Sequence, residues 1–108
     1  MKLLPPCPVE TTLLMIGDKW KVLILRDLMD GTKRFGQLRT SIGSISQKML
    51  TQQLRSMEED GLVNRTVYAE VPPKVEYSLT THGTELKVVL DAMHSWGETY
   101  KEHLNQNE

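Results

Sequence analysis

Cysteine is nearly absent. The chain has one, Cys7, so no disulfide can form within it and the fold must rest on noncovalent packing. No run of about 18 apolar residues occurs, which excludes a transmembrane helix. The N-terminus has no apolar signal core followed by a small-residue cleavage site. Together these absences make a cytoplasmic protein the expectation. Motifs that carry chemistry are missing too. There is no Gly-rich phosphate loop, no nucleophile elbow and no singled-out carboxylate pair. His82, His94 and His103 do not recur at i, i+4 on one helix and make no ligand set. Enzymatic function, a metal site and a cofactor are therefore not expected.

What is present is ordinary in bulk and uneven in detail. A chain of 108 residues suits one domain, and its 25% charged residues suit a globular one. A domain this small buries a modest core and often gains area by dimerising. The net charge of -1 gives no global pull toward an anionic partner. Residues 32–74, however, carry +3 and residues 75–108 carry -4. A basic middle followed by an acidic end suits a local anion-binding face beside a different surface. No internal repeat or low-complexity tract is visible.

The coarse pattern is mainly helical. Residues 1–6 read as a lead-in. A first helix opens at Cys7-Pro8-Val9-Glu10, with Pro at a favoured first position and Glu10 near the positive helix end. It spans 7–16, with Val9, Leu13 and Ile16 as its apolar stripe, and Gly17 ends it. Asp18 caps a second helix. Trp20, Leu23, Ile24 and Leu28 line one side of it, and Val22, Leu25 and Met29 broaden that side, so it belongs at the centre of the domain. Asp30-Gly31-Thr32 stops it. A third helix carries Phe35, Leu38 and Ile42. From Leu62 the period changes to two. Val63, Arg65 and Val67 alternate with Asn64, Thr66 and Tyr68, then Val75, Tyr77 and Leu79 return after a turn at Glu70-Val-Pro-Pro-Lys74. This hairpin, 62–79, must pack on the helices to be stable. Thr80-Thr81 caps a last helix over 82–104, and Asn105 to Glu108 read as frayed.

Residues 35–60 are the most informative. They read as a short helix, a turn at Gly43-Ser44-Ile45, and a longer helix capped by Ser46 and ended by Gly61. Leu50, Leu54 and Met57 point inward. Lys48, Thr51, Gln52 and Arg55 point the other way. That outward face offers donors, acceptors and two cations, which is what base edges and phosphates in a DNA major groove require.

The last helix has a seam of Leu86, Val89, Leu90, Met93, Trp96, Gly97, Tyr100 and Leu104. So long a seam exceeds what a small domain can cover. We expect part of it to pack on a second copy, together with Val9, Leu13 and Ile16 of the first helix. Trp20 and Trp96 are apolar anchors, and Met15, Met29, Met49, Met57 and Met93 are core filler.

Cys7 stands at a helix start, where N–H groups and the helix dipole favour reactive thiolates. Its partner would be Cys7 of another subunit, a small oxidant or an electrophile. The other reading is a small buried hydrophobe without chemistry.

The ordered set Cys7-Pro-Val-Glu, Gly17-Asp-Lys-Trp-Lys, Ile24-Leu-Arg-Asp-Leu, Arg34-Phe, Ile45-Ser-Gln-Lys-Met-Leu-Thr, Leu54, Glu59-Asp-Gly-Leu-Val and Val71-Pro-Pro-Lys-Val-Glu-Tyr-Ser-Leu-Thr-Thr-His-Gly resembles the HxlR family of bacterial regulators, relatives of the MarR group. The match covers roughly residues 7–97. It implies a winged helix-turn-helix with the hairpin as wing, a cytoplasmic homodimer, and a transcriptional regulator whose partner is double-stranded DNA. It places residues 46–60 in the major groove as recognition helix. The implied DNA contacts are Lys33, Arg34, Arg39, Ser46, Gln47, Lys48, Thr51, Gln52, Arg55, Arg65 and Lys74. Lys48 leans to phosphate; Gln52 and Arg55 lean to base edges. Lys33, Arg34 and Arg39 would clamp the backbone. Arg65 and Lys74 would enter the adjacent minor groove or touch its phosphates. Glu58, Glu59 and Asp60 would stay clear of DNA. The implied dimer residues are Val9, Leu13, Ile16, Leu86, Val89, Leu90, Met93, Trp96 and Tyr100. Some members sense oxidants or electrophiles through a cysteine at the position of Cys7, which implies a small effector of that kind. The competing reading is a winged helix that binds protein rather than DNA. The cationic, amide-rich outward face argues against it.

Overall fold

The computed structural model describes residues 3–106. Residues 1, 2, 107 and 108, parts of the expected lead-in and tail, lie outside the described residues. The elements in order are α1 (Pro8–Ile16), α2 (Lys19–Leu28), β1 (Lys33–Arg34), α3 (Phe35–Ile42), α4 (Gln47–Glu59), β2 (Val63–Tyr68), β3 (Lys74–Leu79), α5 (Thr81–Glu85) and α6 (Lys87–Gln106).

Local chemistry fixes the helix ends. An Asp18 carboxylate oxygen accepts the Lys21 N–H at 2.9 Å and starts α2. The Ser46 hydroxyl accepts the Met49 N–H at 3.0 Å and starts α4. Gly43 (φ 80°) and Gly61 (φ 77°) follow α3 and α4 in left-handed conformations that suit glycine. Thr80 joins two elements. Its hydroxyl donates to the Gly61 carbonyl at 2.6 Å and accepts the Gly83 N–H at 3.0 Å, so the end of α4 and the start of α5 share one side chain.

The core is a single cluster around α2. Ile24, Leu25 and Leu28 of α2 meet Leu38 of α3, Leu50, Leu54 and Met57 of α4, and Val63 and Tyr77 of the sheet. The pattern had put α2 at the centre, and it is there.

The hairpin gains a third strand. β1 pairs antiparallel with the free edge of β3, Lys33 opposite Tyr77 and Arg34 opposite Glu76, giving the order β1-β3-β2. Two residues are too few to show a period of two, which hid β1 in the sequence. The last helix also differs from the expected 82–104. It is two pieces, α5 and α6, separated at Leu86, whose N–H bonds back to the Gly83 carbonyl at 3.2 Å in a tighter turn. α6 continues to Gln106, so Asn105 and Gln106 are helical rather than frayed.

α6 has 20 residues and none is buried. It stretches the molecule to 56 × 36 × 23 Å, with a radius of gyration of 15.8 Å. A compact chain of this length would have about 13 Å.

The α5 junction demands a glycine. A Cβ on Gly83 would lie 2.2 Å from the Leu62 carbonyl oxygen and 3.2 Å from a Leu79 methyl. Gly36 in α3 has nothing within 4 Å of the same position. We therefore expect Gly83→Ala to destabilise by about 1–3 kcal/mol through overpacking. Gly36→Ala should be neutral or stabilising by about 0.5–1 kcal/mol. Urea midpoints of the two variants decide this, and equal shifts would refute the close approach.

Candidate nucleic-acid interface

α4 is amphipathic as its spacing requires. Leu50, Leu54 and Met57 are buried against α2, while Gln47, Lys48, Gln52 and Arg55 are exposed. With Thr51, these four line one open groove along the outer side of the helix. The Thr51 hydroxyl donates to the Gln47 carbonyl at 2.9 Å. Its proton is thus spent on its own helix, and it offers a partner only acceptor lone pairs and a methyl group. Ser46 is half committed in the same way, as cap acceptor for Met49.

The flanking cations separate more than the sequence suggested. Arg39 is exposed in the last turn of α3. Lys33 and Arg34 lie in β1 rather than on α3. Neighbours in a strand leave opposite faces, so the two side chains point different ways. Lys33 shares its face with buried Tyr77; Arg34 shares its face with Glu76. The Arg34 N–H donates to the Gln37 side-chain oxygen at 2.8 Å, which starts α3.

The wing divides its two cations as well. Arg65 pairs with Tyr77, so it leaves the sheet toward α4 instead of toward the wing tip. It lines a pocket with Thr51, Leu54, Arg55, Glu58 and Tyr77. Glu58, expected to mark the end of the helix away from any ligand, therefore shares this lining with two arginines. Only the sheet register could have revealed this. Lys74 is held on the other face. Its ammonium lies 4.8 Å from the Tyr68 ring centroid and 3.8 Å from Glu76. A hydrogen bond to Glu76 and its charge raise the Tyr68 pKa above 10.0. Lys74 is thus a partly neutralised cation, not a free one. The tip itself, Ala69 to Pro73, carries Glu70 and no cation.

The surface expected to meet a second copy is partly internal. Ile16 is only 6% exposed and belongs to the protomer's own core. Leu86, Val89 and Leu90 are half-buried against the same core. Val9, Leu13, Met93, Trp96 and Tyr100 remain exposed, joined by Leu4, Leu14, Val88 and Leu104. The Trp96 and Tyr100 rings stack on each other at 5.0 Å. Cys7 is exposed at the cap position of α1 in the single chain. His82 and His94 pair with Glu85 and Glu98 at 2.8 and 3.1 Å.

A tri-helical core, a capped recognition helix and a three-stranded wing match a known architecture. The model of the HxlR-like helix-turn-helix family matches residues 15–105. The chain belongs to the HxlR-like family. A Bacillus subtilis (strain 168) relative, the HTH-type transcriptional regulator YdeP, is 53% identical over 102 residues, covering 94% of this chain and 80% of that protein. Among solved structures, the redox regulator HypR in its reduced form aligns with a TM-score of 0.87 at 49% identity, covering 93% and 99% of the two chains. HypR in its oxidized form aligns at 0.82 with 53% identity, over 86% and 96%. Reduced YodB from B. subtilis aligns at 0.77 with 40% identity, over 89% and 95%. This HxlR-family chain is accordingly an HTH-type transcriptional regulator, not an enzyme, and its fold is that of a DNA-binding protein. Among the described residues, no helix is long and apolar enough to cross a membrane.

The Tyr68–Glu76–Lys74 cluster yields a test. The hydrogen bond needs a protonated phenol and an ionised carboxylate. Its contribution is complete below the ordinary tyrosine value of 10.0 and is lost as pH rises through the raised one. Glu76→Gln removes the charge that raises the pKa. We expect the Tyr68 midpoint in an NMR titration to fall toward the ordinary value and DNA affinity to rise modestly as Lys74 is released. An unmoved midpoint would rule the cluster out.

Proposed function

We propose that this chain is a sequence-specific DNA-binding regulator that acts as a homodimer on a roughly palindromic site. The observation that carries this reading is the single groove lined by Gln47, Lys48, Thr51, Gln52 and Arg55 on the exposed side of α4. Amide side chains match adenine edges, and cations match guanine edges or phosphates. Lys48, in the first turn, is near helix N–H groups that already favour phosphate. Arg39 and Arg34 lie on or beside α3, where the backbone would pass.

Homodimerisation is supported by α6, a helix without a buried residue that presents Met93, Trp96 and Tyr100 beside the exposed Val9 and Leu13 of α1. Trp96 alone is 67% exposed. An apolar seam of this length calls for a cover, and twofold symmetry supplies one from the same surface. Two copies then hold two recognition helices at a fixed spacing. Half-site centres should lie about 34–36 Å apart or at a multiple of that distance.

We further propose that thiol chemistry at Cys7 adjusts DNA affinity. Its support is the exposure of Cys7 at the start of α1, beside Val9 and Leu13 of the same apolar surface. The similar solved structures named above include a redox regulator in two oxidation forms, which fits this reading. Oxidation removes two electrons. It leaves a sulfenic acid, a mixed disulfide with a small thiol, or a disulfide to Cys7 of another copy.

Selection from random duplexes tests the reading directly. The expected product is a pair of inverted half-sites. Half-sites in tandem, or no enrichment, would exclude it. Trp96→Asp should give a monomer by light scattering at micromolar concentration and weaken binding to the paired site at least tenfold, since only one half-site is then held. Diamide should change the affinity of the wild type and leave Cys7→Ser unchanged. Equal responses would remove Cys7 from the switch.

A further inference from the structure

We infer that Arg55 and Arg65 together hold one phosphate of the DNA backbone, in the pocket between α4 and β2. The inference rests on the DNA-binding reading above and deepens it. Arg65 stands opposite Tyr77 in the β2–β3 register. Tyr77 is 9% exposed, so this face of the sheet packs toward the helices, and Arg65 leaves the sheet on that side. Arg55 lies one helical turn beyond Thr51 on the polar side of α4. Both arginines line one pocket of about 270 Å³, whose lining also includes Thr51, Leu54, Glu58 and Tyr77. Both arginines are exposed. Among the described residues neither makes an ion pair within 4.0 Å, although Glu58 shares the lining.

Two arginines and one carboxylate on the same lining leave a net positive charge there, which a bound anion can offset. The planar guanidinium forks match phosphate oxygens. Glu58 limits how much negative charge the pocket accepts. A phosphodiester carries one negative charge, whereas a phosphate monoester with a second pKa of about 6 carries nearly two at neutral pH. The pocket therefore suits a backbone phosphodiester. Its place agrees: with α4 in a major groove and the wing beside it, the strand between them crosses this gap. Arg55 is then an anchor rather than a base reader. Sequence discrimination falls to Gln47, Thr51 and Gln52.

Arg55→Ala, Arg65→Ala and the double variant decide this, measured on a selected duplex and an unrelated one over a salt series. Each single variant should weaken both duplexes by the same factor, about tenfold, and lower the salt slope by about one. The double variant should lose little beyond either single one, because both side chains serve one phosphate. Placing single methylphosphonates along the duplex should reveal one position that weakens the wild type and leaves Arg65→Ala unaffected. Arg65→Lys, which keeps the charge and loses the fork, should fall between wild type and Arg65→Ala. A changed base preference in Arg55→Ala alone, or losses that multiply in the double variant, would overturn the inference. So would displacement of DNA by inorganic phosphate but not by chloride of equal ionic strength, which assigns the pocket to the free anion. Wild type and variants binding alike would also sink it while leaving DNA binding intact. A wild type that binds no duplex would remove the DNA-binding reading itself.

Discussion

The molecule depends on the burial of one helix. α2 places Ile24, Leu25 and Leu28 where α3, α4 and the sheet all meet them. Each of those elements is too short or too polar to be stable alone. Docking on α2 also sets their orientation. Leu50, Leu54 and Met57 can reach this core only if α4 turns its opposite side, with Gln47, Lys48, Gln52 and Arg55, to solvent. The polar face of α4 is thus a by-product of apolar packing: wherever the leucines go in, the amides and cations come out.

The same logic explains what the sequence disclosed and what it concealed. Helical periods of three and four are long-lived signals. They located α1, α2, α3 and α4, and the caps at Asp18, Ser46 and Thr80 followed from hydroxyl and carboxylate chemistry near each start. β1 was invisible because a two-residue strand has no period; it exists only because β3 offers an unpaired edge. The break at Leu86 was concealed because apolar spacing runs straight through it, and the close approach of Gly83 to the Leu62 carbonyl beside it is a tertiary contact. Site residues followed the same division. The groove on α4 could be read from one helix. The pairing of Arg65 with α4, the neutralisation of Lys74 by Glu76 and the opposition of Lys33 to Arg34 all depend on sheet register, which no single segment carries. Ile16 and Leu90 looked like interface residues because a helix stripe does not reveal whether its cover comes from the same chain.

The electrostatics are local. A chain with net charge -1 cannot attract DNA by its overall field, so what matters is where cations stand unpaired. The α4 groove and the Arg55–Arg65 pocket hold such cations. The wing tip does not, and Lys74 behind it is shared with a carboxylate and an aromatic ring. On the proposed reading the wing would contribute chiefly through the strand that faces α4.

α6 has a consequence of another kind. α4 belongs to a unit completed by α2, α3 and the sheet. α6 adds no buried residue to that unit. A 20-residue helix that meets its own core mainly through Val89 and Leu90 is poorly covered along the rest of its length. In the proposed dimer a second copy covers α6, so its order would follow mass action: dilution would withdraw the cover and loosen α6 while the rest of the fold stays intact. On that reading protein abundance would become a regulatory variable, setting the distance between two copies without altering either one.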